Sequence, residues 1–217
     1  MLHDVRLAAR ALRRAPAFTL TTVLTLAIAA GANAAVFAIV YAILMKPLPF
    51  REPARLVAIW PGHFQSNMDL LLVRERAKAF SHIAAVAPGW TMSLTGSGDP
   101  TRVTVAKVSG NLFDTLGTQP LLGRAFSESA ALPGAPGMIV LTHDFWTKRF
   151  GADRGIVGRT IKLDGDPLEV VAVMPRDFEV FGLKTDAFTP FTVDAAAWYH
   201  QLAFSLYVAR LAPGRSV

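Results

Sequence analysis

The residues able to do chemistry are few and scattered. Histidines stand at His3, His63, His82, His143 and His200, with no HExxH pair and no other ligand spacing that a metal needs. No cysteine is present to supply a thiolate, a disulfide or an indication of redox compartment. The run "LDGDPLE" sets Asp164, Asp166 and Glu169 close together, but without the spacing of a calcium loop; Asp164-Gly165 reads instead as a hairpin turn. "LGRAF" and "VGRTI" end like phosphate loops yet carry Arg where a P-loop needs Lys, and the upstream Gly is missing. No Ser or Thr sits in a G-x-S-x-G elbow. Asp114, between Phe113 and Thr115, reads as a solvated or capping charge rather than a general acid. These patterns exclude P-loop nucleotide binding, assemble no nucleophile, base and orienting acid, and require no metal or cofactor. We expect a protein that is not an enzyme.

The elements around these residues say more. No charged residue occurs from Ala15 to Met45, while Arg13 and Arg14 precede the run and Lys46 follows it. As a helix this run covers roughly 45 Å, more than the roughly 30 Å of a bilayer's hydrocarbon. A cleaved signal peptide is the rival, with Phe18 to Ala30 as its core and Ala30-Gly31-Ala32 as the cleavage chemistry. It would leave Val36, Phe37, Ile39, Val40, Ile43 and Leu44 as an exposed greasy terminus, so the balance favours an anchor. We therefore expect a basic amphipathic segment over 1–16, a transmembrane helix over 17–45 and an extracytoplasmic domain over 46–217.

Within the span, Ala27, Gly31, Ala35, Ala38 and Ala42 recur at spacings of four, four, three and four, a stripe of small side chains suited to close helix contact, and Asn33 adds an amide for an interhelical hydrogen bond. The alternative for Asn33 is a local carbonyl partner. Arg6, Arg10, Arg13 and Arg14 lie on or near one face of Leu2 to Ala15, opposite Leu2, Val5, Ala9 and Leu12, before Pro16 turns the chain. They either meet lipid headgroups or only fix topology. Set against Lys46, Arg51 and Arg55, they favour a cytoplasmic N-terminus. The formal charge of +6 is concentrated before the span, and no basic-aromatic or helix-turn-helix pattern follows, so lipid rather than nucleic acid is the expected partner.

Beyond Lys46 the fold reads as mixed α+β. Strands are expected at Leu56 to Trp60, Ile83 to Ala87, Thr91 to Leu94, Arg102 to Val108 and Leu206 to Leu211. Leu70, Val73, Ala77 and Phe80 place a helix at Asp69 to Phe80. "NLFDTLG" reads as a short helix capped by Asn111 and stopped by Gly117; "LTHDFWTKRFG" reads as another, with Thr142 as N-cap, Trp146 and Phe150 inward and Gly151 as the stop. "IKLDGDPLEVVAVMP" is a hairpin on Asp164-Gly165. "APGRS" ends in a helix N-cap at Ser216, and we expect this sequence to be a piece of a longer chain.

"RLAARALRRAPAFTLTTVLTLAIAAGANAAVFAIVYAILMKPLPF", "VSGNLFDTLGTQPLLGRAF", "IVLTHDFWTKRFGADRGIVGRTIKLDGDPLEVVAVMPRDF" and "LYVARLAPGRSV" resemble successive blocks of the MacB-like periplasmic core region of ABC transporter permeases, most of all the duplicated orphan permeases of acidobacterial type. The resemblance implies an outer domain with porter-like and sabre-like subdomains. Gly110, Phe113, Leu116, Gly117, Pro120 and Gly123 match its first motif; Trp146, Phe150, Gly151, Gly158, Gly165, Val173, Pro175 and Phe178 match its second, all as fold positions. It implies a permease component in the inner membrane, a separate ABC ATPase subunit and other permease helices as partners, with a homodimer left open. A membrane-anchored or secreted binding domain derived from such a permease is the alternative. The three further membrane helices of the family's FtsX-like region are not in this sequence, and substrate does not follow from fold.

Overall fold

Apolar length alone makes the first element. In a computed structural model that describes residues 13–41, 50–59, 67–96, 99–180, 182–192 and 206–215, helix α1 spans Pro16–Val40. Pro16 occupies its first turn, where a missing N–H costs nothing, and Ala15 before it is non-helical, so the chain breaks there as expected. At 25 residues, α1 is about 37 Å long, and it is the one described helix long and apolar enough to cross a membrane. Thr19, Thr21, Thr22 and Thr25 each return their hydroxyl to the carbonyl four residues back, at 2.8–3.0 Å. Their polar atoms are thereby satisfied within the helix, as hydrocarbon demands.

The chain divides at Leu48 into this N-terminal unit and a second unit, Pro49–Val217. In the second, β1 (Leu56–Ile59), α2 (Asn67–Arg76), β2 (Phe80–Thr95), β3 (Thr101–Val108), α3 (Leu112–Leu116), β4 (Leu122–Gly123), β5 (Met138–Leu141), α4 (His143–Phe150), β6 (Thr160–Leu163), β7 (Asp166–Val173), β8 (Ala187–Pro190) and β9 (Leu206–Leu211) follow in order. The strands form one mixed sheet ordered β1-β9-β2-β3-β8-β5-β7-β4. The β3–β8 and β5–β7 pairs are parallel and the others antiparallel.

Two expected strands are one. Ile83 to Ala87 and Thr91 to Leu94 belong to the single strand β2, which is irregular between Ala87 and Trp90 where Gly89 takes φ +86°. A bulge bends a strand without ending it, and here it lets the two halves of β2 serve different neighbours. The first half pairs with β9; the far end, Leu94 and Thr95, pairs with β6. Because β6 also pairs with β7, strands β2, β3, β8, β5, β7 and β6 close a circuit. Leu94, Val103, Val105, Ile139, Leu141, Leu163 and Val170 pack with Phe145 and Trp146 of α4 in one core on this circuit. A second core gathers Phe113, Phe126, Phe178 and Phe188, and a third packs Leu70 of α2 on Ala85, Tyr207 and Ala209.

Helix α2 starts and stops earlier than the apolar spacing predicts. It ends at Arg76 because Phe80 is drawn into β2 opposite Leu211, although Val73, Ala77 and Phe80 still pack on the third core. The α4 expectation holds at both ends and on its inner face: Thr142 caps Phe145, Trp146 is buried, Phe150 is half-buried against the same core, and Gly151 stops the helix at φ +59°. So does the hairpin, with Asp164 at φ 51° and Gly165 at φ 94°, the two positive values that a type I′ turn needs. Strand β1 matches through Ile59, while Trp60 and Ser216 lie outside the described residues.

Candidate functional site

The residues singled out for chemistry are not brought together. His82 and His143 lie on separate elements, and His3, His63 and His200 fall outside the described residues. Among the described residues no group of His, Asp and Glu is placed to hold a metal ion. Asp114 is exposed on α3. Asp164 has a structural task beyond the turn, since its carboxylate accepts the Ser93 N–H at 2.8 Å and ties the hairpin to β2. The two glycines of the loop-like "LGRAF" and "VGRTI" are packing positions. A Cβ at Gly123 would run into the Val171 carbonyl, and Gly158 donates to the Val170 carbonyl at 2.8 Å from φ +88°.

What the fold assembles instead is a junction where the chain enters the second unit. Arg210, on β9, is buried, and its guanidinium forks across three carbonyls. Nε donates to Thr115 at 2.8 Å, and Nη2 donates to Arg51 at 2.8 Å and to Leu116 at 3.2 Å. Two of these acceptors are the free carbonyl end of α3, where a cation is favoured. Arg55 answers from the other side: its Nε and Nη2 donate to the Leu211 carbonyl at 3.2 and 2.7 Å, and its Nη1 pairs with Glu52. Residues 50–55 are thus stitched to the last strand, which β1 already pairs in antiparallel register. Burial lowers the Arg210 pKa, with Glu52 opposing and Arg55 and Arg51 adding to the fall, yet a guanidinium remains cationic throughout the physiological range.

A second arginine ties α2 down. Arg74 donates from Nε to Ile83 at 3.0 Å, from Nη1 to Glu128 at 2.8 Å and from Nη2 to Asn111 Oδ1 at 2.7 Å. Asn111 stands at the N-cap position of α3, but its side chain makes no cap bond. Its Oδ1 accepts from Arg74 and from Ser109 Oγ, and its Nδ2 donates to Ile83. The expected cap is therefore corrected: a charged donor from another element outcompetes the local amide. Burial lowers the Arg74 pKa and Glu128 opposes it. Gly110 belongs here because a Cβ would stand 2.5 Å from the Ser127 carbonyl.

Under α2, the Tyr207 hydroxyl is buried without a hydrogen-bond partner among the described residues. Burial, assisted by Asp69, pushes its pKa up to about 12. Because the folded value lies above the unfolded one of about 10, the neutral phenol's contribution is complete below about pH 10 and is lost as pH rises toward 12, by roughly 2–3 kcal/mol. Tyr207→Phe removes both the orphaned hydroxyl and this alkaline loss. It is expected to leave neutral-pH stability equal or raised by about 1 kcal/mol, measured by denaturant unfolding at neutral and alkaline pH; a loss of stability at neutral pH would show that the hydroxyl has a partner.

A groove of about 440 Å³ lies between α4 and the segment before β8, lined by His143, Asp144, Lys148, Asp177, Glu179, Lys184 and Asp186 among others. Asp144 stands 3.8 Å from Lys148 and from His143, and the Asp186 carboxylate accepts the Thr104 N–H at 2.8 Å. These are charge pairs and backbone anchors, and the described residues of the groove contain no hydroxyl hydrogen-bonded to a base.

In the N-terminal unit, Ala27, Gly31, Asn33, Ala35 and Ala38 are exposed on α1, and Arg13 and Arg14 are exposed ahead of Pro16. Arg6, Arg10 and Ala42 fall outside the described residues.

The fold has known relatives. The extracellular domain of the noncanonic ABC-type transporter YknZ from Gram-positive bacteria superposes with a TM-score of 0.55 at 16% identity, over 73% of this chain and 84% of that one. The periplasmic region of MacB from Actinobacillus actinomycetemcomitans superposes with a TM-score of 0.61 at 12% identity, over 81% and 82%. Among curated proteins none matches by sequence. The profile of the MacB-like periplasmic core domain matches residues 19–217. The motif residues fill the fold roles expected of them, Phe113 and Leu116 in the core and Gly117, Gly123, Gly151, Gly158 and Gly165 at positive φ. This chain, an apolar N-terminal helix followed by a sheet-rich α+β domain, therefore belongs to the MacB-like periplasmic core domain family of ABC-type transporter permeases.

Proposed function

We propose that this chain is the permease component of an ABC-type transporter, in which a cytoplasmic ATPase dimer shifts the membrane helices and the outer domain carries that motion into export or signalling. The observation that carries this reading is the stitching of residues 50–55, which follow the span, into the sheet by Arg55 and Arg210. Fastening residues 50–55 to the sheet suits a domain that passes force from the chain entering it to its core. The proposal includes inner-membrane residence with a cytoplasmic N-terminus, an orientation supported by Arg6, Arg10, Arg13 and Arg14, which outnumber Lys46, Arg51 and Arg55. Affinity purification from the native membrane is expected to retain an ABC ATPase; a preparation devoid of nucleotide hydrolysis would favour an anchored binding domain.

The stripe on α1 is the contact surface for other permease helices or a second copy. The Asn33 amide makes no hydrogen bond among the described residues, which supports an interhelical partner for it. A Cβ at Gly31 meets no atom within 4 Å, so Gly31→Leu leaves the chain's own packing intact. With Ala27→Cys as the only thiol, the expected result of Gly31→Leu is about a fivefold fall in membrane cross-linking with unchanged domain unfolding. Undiminished cross-linking would remove the stripe from the interface.

A further inference from the structure

Strand register gathers positive charge at one end of the sheet. β1 begins with Leu56 opposite Arg210, and β2 begins with Phe80 opposite Leu211, so residues 50–55, the turn between α2 and β2, and the residues after β9 meet at the same edge. The Ala212 N–H donates to the Ala79 carbonyl at 2.9 Å, and the Arg215 N–H folds back on Ala212 at 3.1 Å. Arg51, Arg55, Arg76, Lys78, Arg210 and Arg215 thereby share one rim with only Glu52, Glu75 and Asp114 to offset them. The remaining residues beyond Lys46 carry more acidic than basic side chains, so this rim is a local excess and not a sample of the surface. Arg210 and Arg55 commit their donors to carbonyls and Glu52. Arg51, Arg76, Lys78 and Arg215 are exposed and form no ion pair among the described residues.

The rim is also the part of the domain bound by the shortest chain to the membrane helix. Residues 42–49 join Tyr41 to Phe50, and a link of that length reaches at most about 30 Å. We propose that the rim is a lipid-facing collar that binds the anionic phospholipid headgroups of the leaflet on which the domain sits. Each basic side chain brought to an anionic surface strengthens the attraction roughly fivefold, and four free cations on one edge hold that edge against the headgroups. This inference rests on the reading of α1 as an anchor.

The absence of cysteine makes the test direct. The full chain carrying Ala54→Cys, labelled with a fluorophore, is reconstituted in vesicles of phosphatidylcholine alone or with about one-third phosphatidylglycerol, each containing a headgroup-attached quencher. Quenching is expected to be about twofold or more stronger in the anionic vesicles, to fall to the neutral level at high salt, and to lose its lipid dependence in Arg51→Ser/Lys78→Ser/Arg215→Ser. These three side chains are exposed, so the variant keeps the buried Arg210 fork. Equal quenching in both vesicles, or an unaffected triple variant, overturns the collar. Reversal of the anionic-vesicle quenching by inorganic phosphate, but not by chloride at the same ionic strength, would assign the rim to a soluble phosphate and also overturn it. Failure of the protein to float with either vesicle would instead strike the anchor reading.

Discussion

Arg210→Met is expected to destabilise the second unit by about 3 kcal/mol, because buried acceptors left without a donor cost roughly 1–3 kcal/mol each and water reaches only part of them. Methionine keeps the length of the stem, so the loss is not a cavity effect. The Thr115, Leu116 and Arg51 carbonyls lose the guanidinium that now satisfies them. Arg210→Lys is expected to recover less than about 1 kcal/mol, since an ammonium on a flexible stem cannot fork across two segments. Glu52→Gln is the contrast. Its carboxylate lies 4.0 Å from Arg210 and is half exposed, so its loss is expected to cost under about 0.5 kcal/mol. Denaturant unfolding of the detergent-solubilised chain, followed by far-ultraviolet dichroism, ranks the three. A methionine variant as stable as the parent would mean that the junction is held by the β1–β9 pairing alone.

Phe113→Ala carries the other large effect. The ring is 2% exposed and stands 5.2, 6.0 and 5.7 Å, centroid to centroid, from Phe126, Phe178 and Phe188. Removing it deletes the centre of the phenylalanine core, at about 3–5 kcal/mol, and takes away edge-to-face pairs that add to area burial. For a domain of this size the melting temperature is expected to fall by roughly 10 °C or more, read by scanning calorimetry or dichroism. Phe113→Leu, which keeps most of the volume, is expected to lose under half as much. A small shift for the alanine variant would show that Phe126 and Phe178 collapse into the space.

Both predictions depend on contacts that the two kinds of information reveal unequally. Phe113 was readable as a fold position through the resemblance of "VSGNLFDTLGTQPLLGRAF" to the family's first motif, and the structure buries it in the core. Asn111 was readable only as to position. Its cap position is real, but what its amide binds depends on Arg74, which arrives from a helix 37 residues earlier in the chain. Arg210 gave no signal at all in "LYVARLAPGRSV", where alternation alone would leave it a solvated strand residue. Its acceptors are main-chain carbonyls 94, 95 and 159 residues away, and a carbonyl has no residue type for a motif to show.

The sequence by itself determined the elements whose physics is local. A run of apolar residues longer than a bilayer is thick makes α1, Thr142 and Gly151 bound α4, and Asp164-Gly165 makes the hairpin, because capping, turn geometry and hydrophobic length act within a few residues. Only the tertiary structure decided that two expected strands are one bulged β2, that β6 closes a circuit onto its far end, and that basic residues from three distant segments share a rim. Those outcomes rest on strand register and on arginine-to-carbonyl bonds, which are settled by pairing between segments far apart in the chain rather than by the residues at either end.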